Sequence, residues 1–384
     1  MASISRNLEA SASGRAHLSL YTKSLDKLLG PQAATVMHIP HSIPGILVLT
    51  FVALVRPASA DVVDLTVWPD RETLNGRSGE VVTYPSHSPF TLWEVGKSDA
   101  LDPPTDARAA LFLPDDASAE NPVPAVVLLH GAAGILGARE LTYGAQFAEM
   151  GVAALVIDAF GARRDRASGF INRLLNVTET MVLADAYAGL RFLDRMPEVD
   201  GDRVALMGFS YGGISTMLGA FAQTAEALNP DGKRFAAHVS FYGPCIARFD
   251  DTRATGAPVL LLAGSEDGIV DPQRCGEIVE DLRDGGAEAE FVLYEGAYHQ
   301  WDGSFPGPRT IGRNLADCDL NVNANGVVRD TLTLLPMSGP FLRKVILGVC
   351  SDSDGYLIGR DDTIRDRSNH DVGAFLMRAF NGDS

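Results

Sequence analysis

Eight short apolar runs punctuate the chain: Val81 to Tyr84, Ala109 to Leu113, Ala125 to Leu129, Ala153 to Ile157, Val204 to Met207, His238 to Tyr242, Val259 to Ala263 and Phe291 to Tyr294. Runs this short, bounded by turn residues, predict strands, several of them covered on both faces. Helical patterns alternate with them. Val182 to Met196 has the spacing of an amphipathic helix lying behind a sheet, and Asn369 to Phe380 that of an amphipathic terminal helix. Such alternation predicts an α/β fold: a mostly parallel, doubly wound sheet with helices on both faces, led by an antiparallel pair of strands. The stretch 304–346 carries neither period and reads as an irregular excursion packing near the functional site.

The amino-terminal part has a different pattern. Ile43 to Val55 is a largely apolar run, followed by Pro57-Ala58-Ser59-Ala60 and the polar Asp61. This is the form of a secretory signal peptide cleaved after Ala60, and the run is shorter than the ~20 residues that span a bilayer. The segment upstream of it, Ala2 to Val36, is too long for an ordinary n-region, so Met37 is an alternative start, although Met37 to Ser42 holds no Lys or Arg. Residues 1–60 therefore read as signal peptide and upstream extension, and 61–384 as a single domain.

Charge and cysteines narrow the choice of partners and compartment. The net charge is −17, and removing residues 1–60, with five Lys/Arg and two Asp/Glu, takes it to −20. So acidic a protein repels nucleic acid and anionic membrane surfaces, and no stable membrane insertion is expected after processing. Cys245, Cys275, Cys318 and Cys350 all follow the cleavage site, an even number that suits a secreted or periplasmic protein. Chain order suggests Cys245 with Cys275 and Cys318 with Cys350, among three possible connectivities and the alternative of buried free thiols. No CxxC or HxxxH spacing points to zinc, and the acidic loops near Asp319 and Asp352 lack the register of a calcium loop. No metal or organic cofactor is expected.

The densest chemical signal is Gly208-Phe209-Ser210-Tyr211-Gly212-Gly213, directly after the apolar run Val204 to Met207. A strand that delivers a serine onto a sharp turn into a helix is a nucleophile elbow, the mark of an α/β-hydrolase fold. Serine needs a base, and the base needs an orienting carboxylate, in the chain order Ser, acid, His. His299, just past the strand-like Phe291 to Tyr294, fits the base better than His370 on the terminal helix. Asp267, in the loop after Val259 to Ala263, is the first choice for the acid, with Glu266 and Asp271 as competitors. An oxyanion needs two amides: the Tyr211 N–H and one from the loop His130 to Gly134, with Ala132 the candidate and Gly131 next. His130 precedes the serine and reads as a residue that fixes this loop.

These residues resemble the dienelactone hydrolase family. The likeness rests on His130 to Gly134, Ile157-Asp158-Ala159-Phe160-Gly161-Ala162-Arg163, Gly208 to Gly213, and Gly264 to Asp267 with Tyr298 to Asp302, and it runs from about Val81 to Phe380. It implies one α/β-hydrolase domain with Ser210, Asp267 and His299 as the triad. The founding members carry cysteine where this chain has Ser210, which points to a serine-type hydrolase acting on a small-molecule carboxylic ester or lactone. A peptidase or acyltransferase on the same machinery, or a catalytically silent binding protein, are the alternatives. Family members also carry an arginine matching Arg163. Near the mouth it would clamp a substrate carboxylate; otherwise it pairs with a neighbouring acid such as Asp165 or ties down its loop.

Overall fold

The computed structural model describes residues 62–74, 77–230 and 232–382. The expected signal segment and its cleavage site lie outside these residues. Eight strands form the central sheet: β1 (Glu80–His87), β2 (Pro104–Phe112), β3 (Val123–Leu129), β4 (Ala153–Ile157), β5 (Val199–Phe209), β6 (Ala237–Phe241), β8 (Val259–Gly264) and β9 (Ala289–Tyr294). A further short strand, β7 (Ala247–Phe249), stands outside it. The spatial order is β1-β2-β4-β3-β5-β6-β8-β9. β2 is antiparallel to both β1 and β4, and every later pairing is parallel. This is an α/β-hydrolase sheet, with the antiparallel pair at its leading edge.

Every residue of β3, β4, β6 and β8 is buried, which is why these segments read as unbroken apolar runs. Alternate residues serve opposite cores. Val126, Leu128 and Met207 pack with Tyr143 and Phe147 of α1 (Thr142–Glu149) and with Phe375 and Leu376 of the terminal helix α8 (Asp362–Asn381). Val127, Leu129 and Leu206 pack with Leu183, Tyr187 and Leu190 of α3 (Glu179–Leu193). Each such aliphatic side chain contributes roughly 1.5–3 kcal/mol through burial. α8 starts earlier than the apolar period suggests, because its first turns are polar. Asp361 caps it, accepting from the Ile364 N–H at 3.0 Å.

The excursion runs further than expected, from the residues after His299 to Asp361. It holds β10 (Arg309–Ile311), β11 (Leu320–Val322), β12 (Val328–Asp330), α7 (Pro340–Cys350) and β13 (Tyr356–Ile358), so the expected limit at residue 346 falls inside a helix. Strands of three residues are too short to display a period. β11 pairs in parallel with β7, and β10 with β13 in antiparallel. Cys318 is bonded to Cys350, tying the carboxyl end of α7 to the approach to β11. Cys245 is bonded to Cys275, joining the segment after β6 to α6 (Pro272–Asp284). No helix among the described residues is long and apolar enough to cross a membrane.

Candidate active site

β5 ends at Phe209, α4 (Tyr211–Gly219) begins at Tyr211, and Ser210 occupies the turn between them at φ 53°, ψ −110°. A serine at positive φ costs on the order of 1–3 kcal/mol and persists only where its surroundings enforce it. Here the Ser210 N–H donates to the Phe241 carbonyl at 2.9 Å, and the Ser210 carbonyl accepts from the Ile214 N–H at 3.0 Å. The flanking glycines are sterically required. A Cβ on Gly208 would stand 2.1 Å from the Gly212 carbonyl oxygen, and one on Gly212 would stand 2.3 Å from that of Leu129.

His299 meets both expected partners. Its Nε2 is 2.8 Å from Ser210 Oγ and its Nδ1 is 2.7 Å from Asp267 Oδ2, with the His299 and Asp267 side chains fully buried. An ionised carboxylate can only accept, so Nδ1 carries the proton, and Nε2 is left to accept from the serine hydroxyl. Asp267 Oδ1 accepts from the Ile269 N–H at 3.2 Å, which fixes the carboxylate plane. The competing acids point elsewhere: Glu266 is exposed, and Asp271 caps α6 through the Gln273 N–H at 2.9 Å. His370 is exposed on α8.

Ala132 and Tyr211 line the same cavity as Ser210. The Tyr211 N–H is in the first turn of α4, where backbone amides lack intrahelical partners and the helix dipole favours negative charge. The preceding loop passes close to the serine, since a Cβ on Gly131 would stand 3.4 Å from Ser210 Cβ. His130 donates from Nδ1 to the Gly131 carbonyl at 2.8 Å, and burial holds its pKa below the usual histidine value. It is thus a neutral brace for this loop.

Arg163 requires a correction. Its side chain is 2% exposed and does not reach the cavity. Both carboxylate oxygens of Asp185 accept from it, at 2.6 and 3.0 Å, and the remaining donors go to Ser88 Oγ and to the carbonyls of Ala159 and His87. With its hydrogen-bonding capacity spent on protein groups, Arg163 cannot clamp a substrate. Nor is its partner the neighbouring Asp165, which stands beside Arg166 at the surface.

Two buried clusters escape a reading of motifs. Beneath the histidine, Tyr242 sits at φ 40° with its ring 4.7 Å from that of His299, and its hydroxyl donates to Asp302 Oδ1 at 2.5 Å. Arg139 donates to the Tyr242 hydroxyl at 3.3 Å and to Glu140 at 2.8 Å, and Glu140 in turn accepts from the Leu136 N–H at 2.8 Å. This chain links the loop ahead of α1 to the loop of His299. Burial raises the Asp302 pKa, against the opposing pull of Arg139 and Arg365. The second cluster is Arg343 of α7, which grips both oxygens of Glu179 at 2.8 and 2.9 Å. Burial pushes the Glu179 pKa up, but Arg343 outweighs it and holds it below the usual carboxylate value. The legible signal was only that charged residues interrupt apolar stretches.

The cavity at Ser210 has a volume of about 700 Å³. α2 (Phe170–Asn176) forms one wall, and the excursion contributes Ile311, Leu315 and Leu347 to another. Among the described residues no cluster of His, Cys, Asp or Glu is arranged to hold a metal ion.

A family model described as "Dienelactone hydrolase family" matches residues 107–307. A Bradyrhizobium protein named "Probable 2-oxo-3-(5-oxofuran-2-ylidene)propanoate lactonase" is 24% identical over 172 residues, which are 41% of this chain and 65% of that protein. This chain therefore matches just under two thirds of the relative's length. Among solved structures, a propionate-bound thermophilic esterase from Thermogutta terrifontis is 19% identical, covering 59% of this chain and 86% of its own, with a TM-score of 0.43. A dienelactone hydrolase-like promiscuous phosphotriesterase from metagenomic libraries is 20% identical, covering 58% and 84%, with a TM-score of 0.41.

Proposed function

The chain belongs to the dienelactone hydrolase family, and from that premise we propose that it is a hydrolase of carboxylic esters or lactones that works through an acyl-enzyme on Ser210. The observation that carries this reading is the unbroken hydrogen-bonded line from Ser210 Oγ through His299 to Asp267. In the proposed reaction Ser210 Oγ attacks the carbonyl carbon while His299 Nε2 takes the hydroxyl proton. Asp267 remains a carboxylate and stabilises the imidazolium. The Ala132 and Tyr211 amides hold the developing oxyanion, in which they gain more than in the ground state. Collapse expels the alcohol with the proton returned from His299, and water repeats the cycle on the acyl-serine. Its two disulfides favour a secreted or periplasmic setting for this chemistry.

A fluorophosphonate probe, with the labelled peptide located by mass, tests this reading. Labelling at Ser210 is expected, and labelling elsewhere or none would overturn it. Ser210→Ala and His299→Ala are each expected to lower turnover of a simple aryl ester by on the order of a millionfold, because nucleophile and base act as a unit. Asp267→Asn is expected to keep at least roughly tenfold more activity than either of those variants. Assays with matched amides and with alternative acyl acceptors separate ester hydrolysis from peptidase or acyltransferase activity.

A further inference from the structure

We propose that the cavity at Ser210 receives a bulky, neutral, apolar group on one side of the scissile ester, and that the excursion confers this preference; the inference rests on the hydrolase reading above. At about 700 Å³ the cavity is in the size range of sites for sizeable organic ligands. Half of the residues that line it belong to the excursion, beyond the segment matched by the family model. The interior walls are aliphatic, with Leu174 on α2, Ile214 on α4, Ile246 between β6 and β7, and Leu315, Met337 and Leu347 from the excursion.

Charge decides what such a chamber rejects. Its buried cation, Arg343, already holds Glu179 bidentately, and further donors of the same guanidinium go to the Leu174 carbonyl at 2.6 Å and the Tyr211 hydroxyl at 3.4 Å. The other basic residues lining the cavity, Arg313 and Lys344, are exposed to solvent. A carboxylate carried inward would lose its hydration and find no buried cation free to pair with it, whereas an alkyl or aryl group would lose only unfavourable contact with water. The wall is apolar at its rim too: Phe170 and Ile171 on α2 line the cavity and are 46% and 58% exposed. An apolar occupant would cover them.

Binding can be read without turnover, which separates this inference from the hydrolase reading. Methyl alkyl ketones of increasing chain length mimic neutral esters and cannot be hydrolysed. Titration calorimetry on the Ser210→Ala protein is expected to show affinity rising about fourfold per added methylene while the chain stays within the cavity. The matching keto acids, with a carboxylate at the far end, are expected to bind roughly tenfold or more weakly. Leu347→Asp, at a half-buried wall position, is expected to flatten the chain-length dependence. A flat series in the Ser210→Ala parent, or keto acids binding as tightly as ketones, would overturn the preference. A slope unchanged by Leu347→Asp would overturn the role given to the excursion. If ketone affinity rises as expected but no probe labels Ser210 in the wild-type protein, the hydrolase reading fails and the apolar site stands.

Discussion

At the scale of the residue, Arg163 illustrates how a buried charge becomes architecture. It joins the end of β1 (the His87 carbonyl), the turn after β4 (the Ala159 carbonyl) and the inner face of α3 (the Asp185 carboxylate). Truncating one partner of a buried ion pair leaves the other charge uncompensated, which typically costs about 3–5 kcal/mol. Arg163→Ala is therefore expected to lose stability of that order in denaturant unfolding, while the ratio of kcat/KM for a carboxylate-bearing ester and its methyl ester stays unchanged. A changed ratio with unchanged stability would return Arg163 to the substrate. The partner was not legible because Asp185 sits among the apolar residues of a helix, 22 positions away, and only the packing of α3 brings it inward. Ser210 and His299, by contrast, announce themselves through local chain geometry: a glycine-flanked turn after a strand, and a loop at the next sheet edge. The Arg139, Glu140, Tyr242 and Asp302 cluster draws on three separate places in the chain that only the folded sheet assembles, and no spacing in the sequence encodes it.

Among the elements, the parallel strands β3, β4, β6 and β8 were readable because each is buried along its whole length, whereas the excursion hides strands of three residues between turns. Its disulfide has a distinct task from the other. Cys318–Cys350 closes a loop with a sequence separation of 32 and fastens α7, which carries Arg343 and one wall of the cavity. Loop-closure entropy puts the stabilisation from such a link at about 4 kcal/mol. Cys245–Cys275 instead borders the loop of Asp267. Replacing Cys318 and Cys350 by serine is expected to lower the melting temperature and to flatten the preference for long over short esters. Replacing Cys245 and Cys275 is expected to depress turnover of short esters as well. The same chain-length profile from both double variants would contradict this division.

The whole molecule responds to acid through groups buried in their neutral form. His238, in the middle of the sheet on β6, has its pKa held down to about 4 by burial, against an ordinary value of about 6.5. Between those values the unfolded chain binds a proton that the folded one refuses. The corresponding stability is present in full above about pH 6.5 and lost as pH falls towards 4, a difference on the order of 3 kcal/mol. His130 shifts in the same direction and adds to the loss. Relief of repulsion within a chain of net charge −17 works the opposite way. The comparison of wild type with His238→Leu isolates the histidine: unfolding free energies across this range are expected to fall less steeply in the variant, and parallel curves would refute the assignment. One further property follows from how the excursion is moored. The chain leaves after His299 and returns beside it, with the His299 N–H donating to the Leu357 carbonyl, the Gly359 N–H to that of His299, and the Asp361 N–H to that of Trp301. Both ends are clasped at one point on the sheet edge, and the entropy of closing a loop grows only slowly with its length. A change in the length of the intervening cassette is therefore expected to cost the sheet little, so that the breadth of the pocket can be altered separately from the chemistry at the serine.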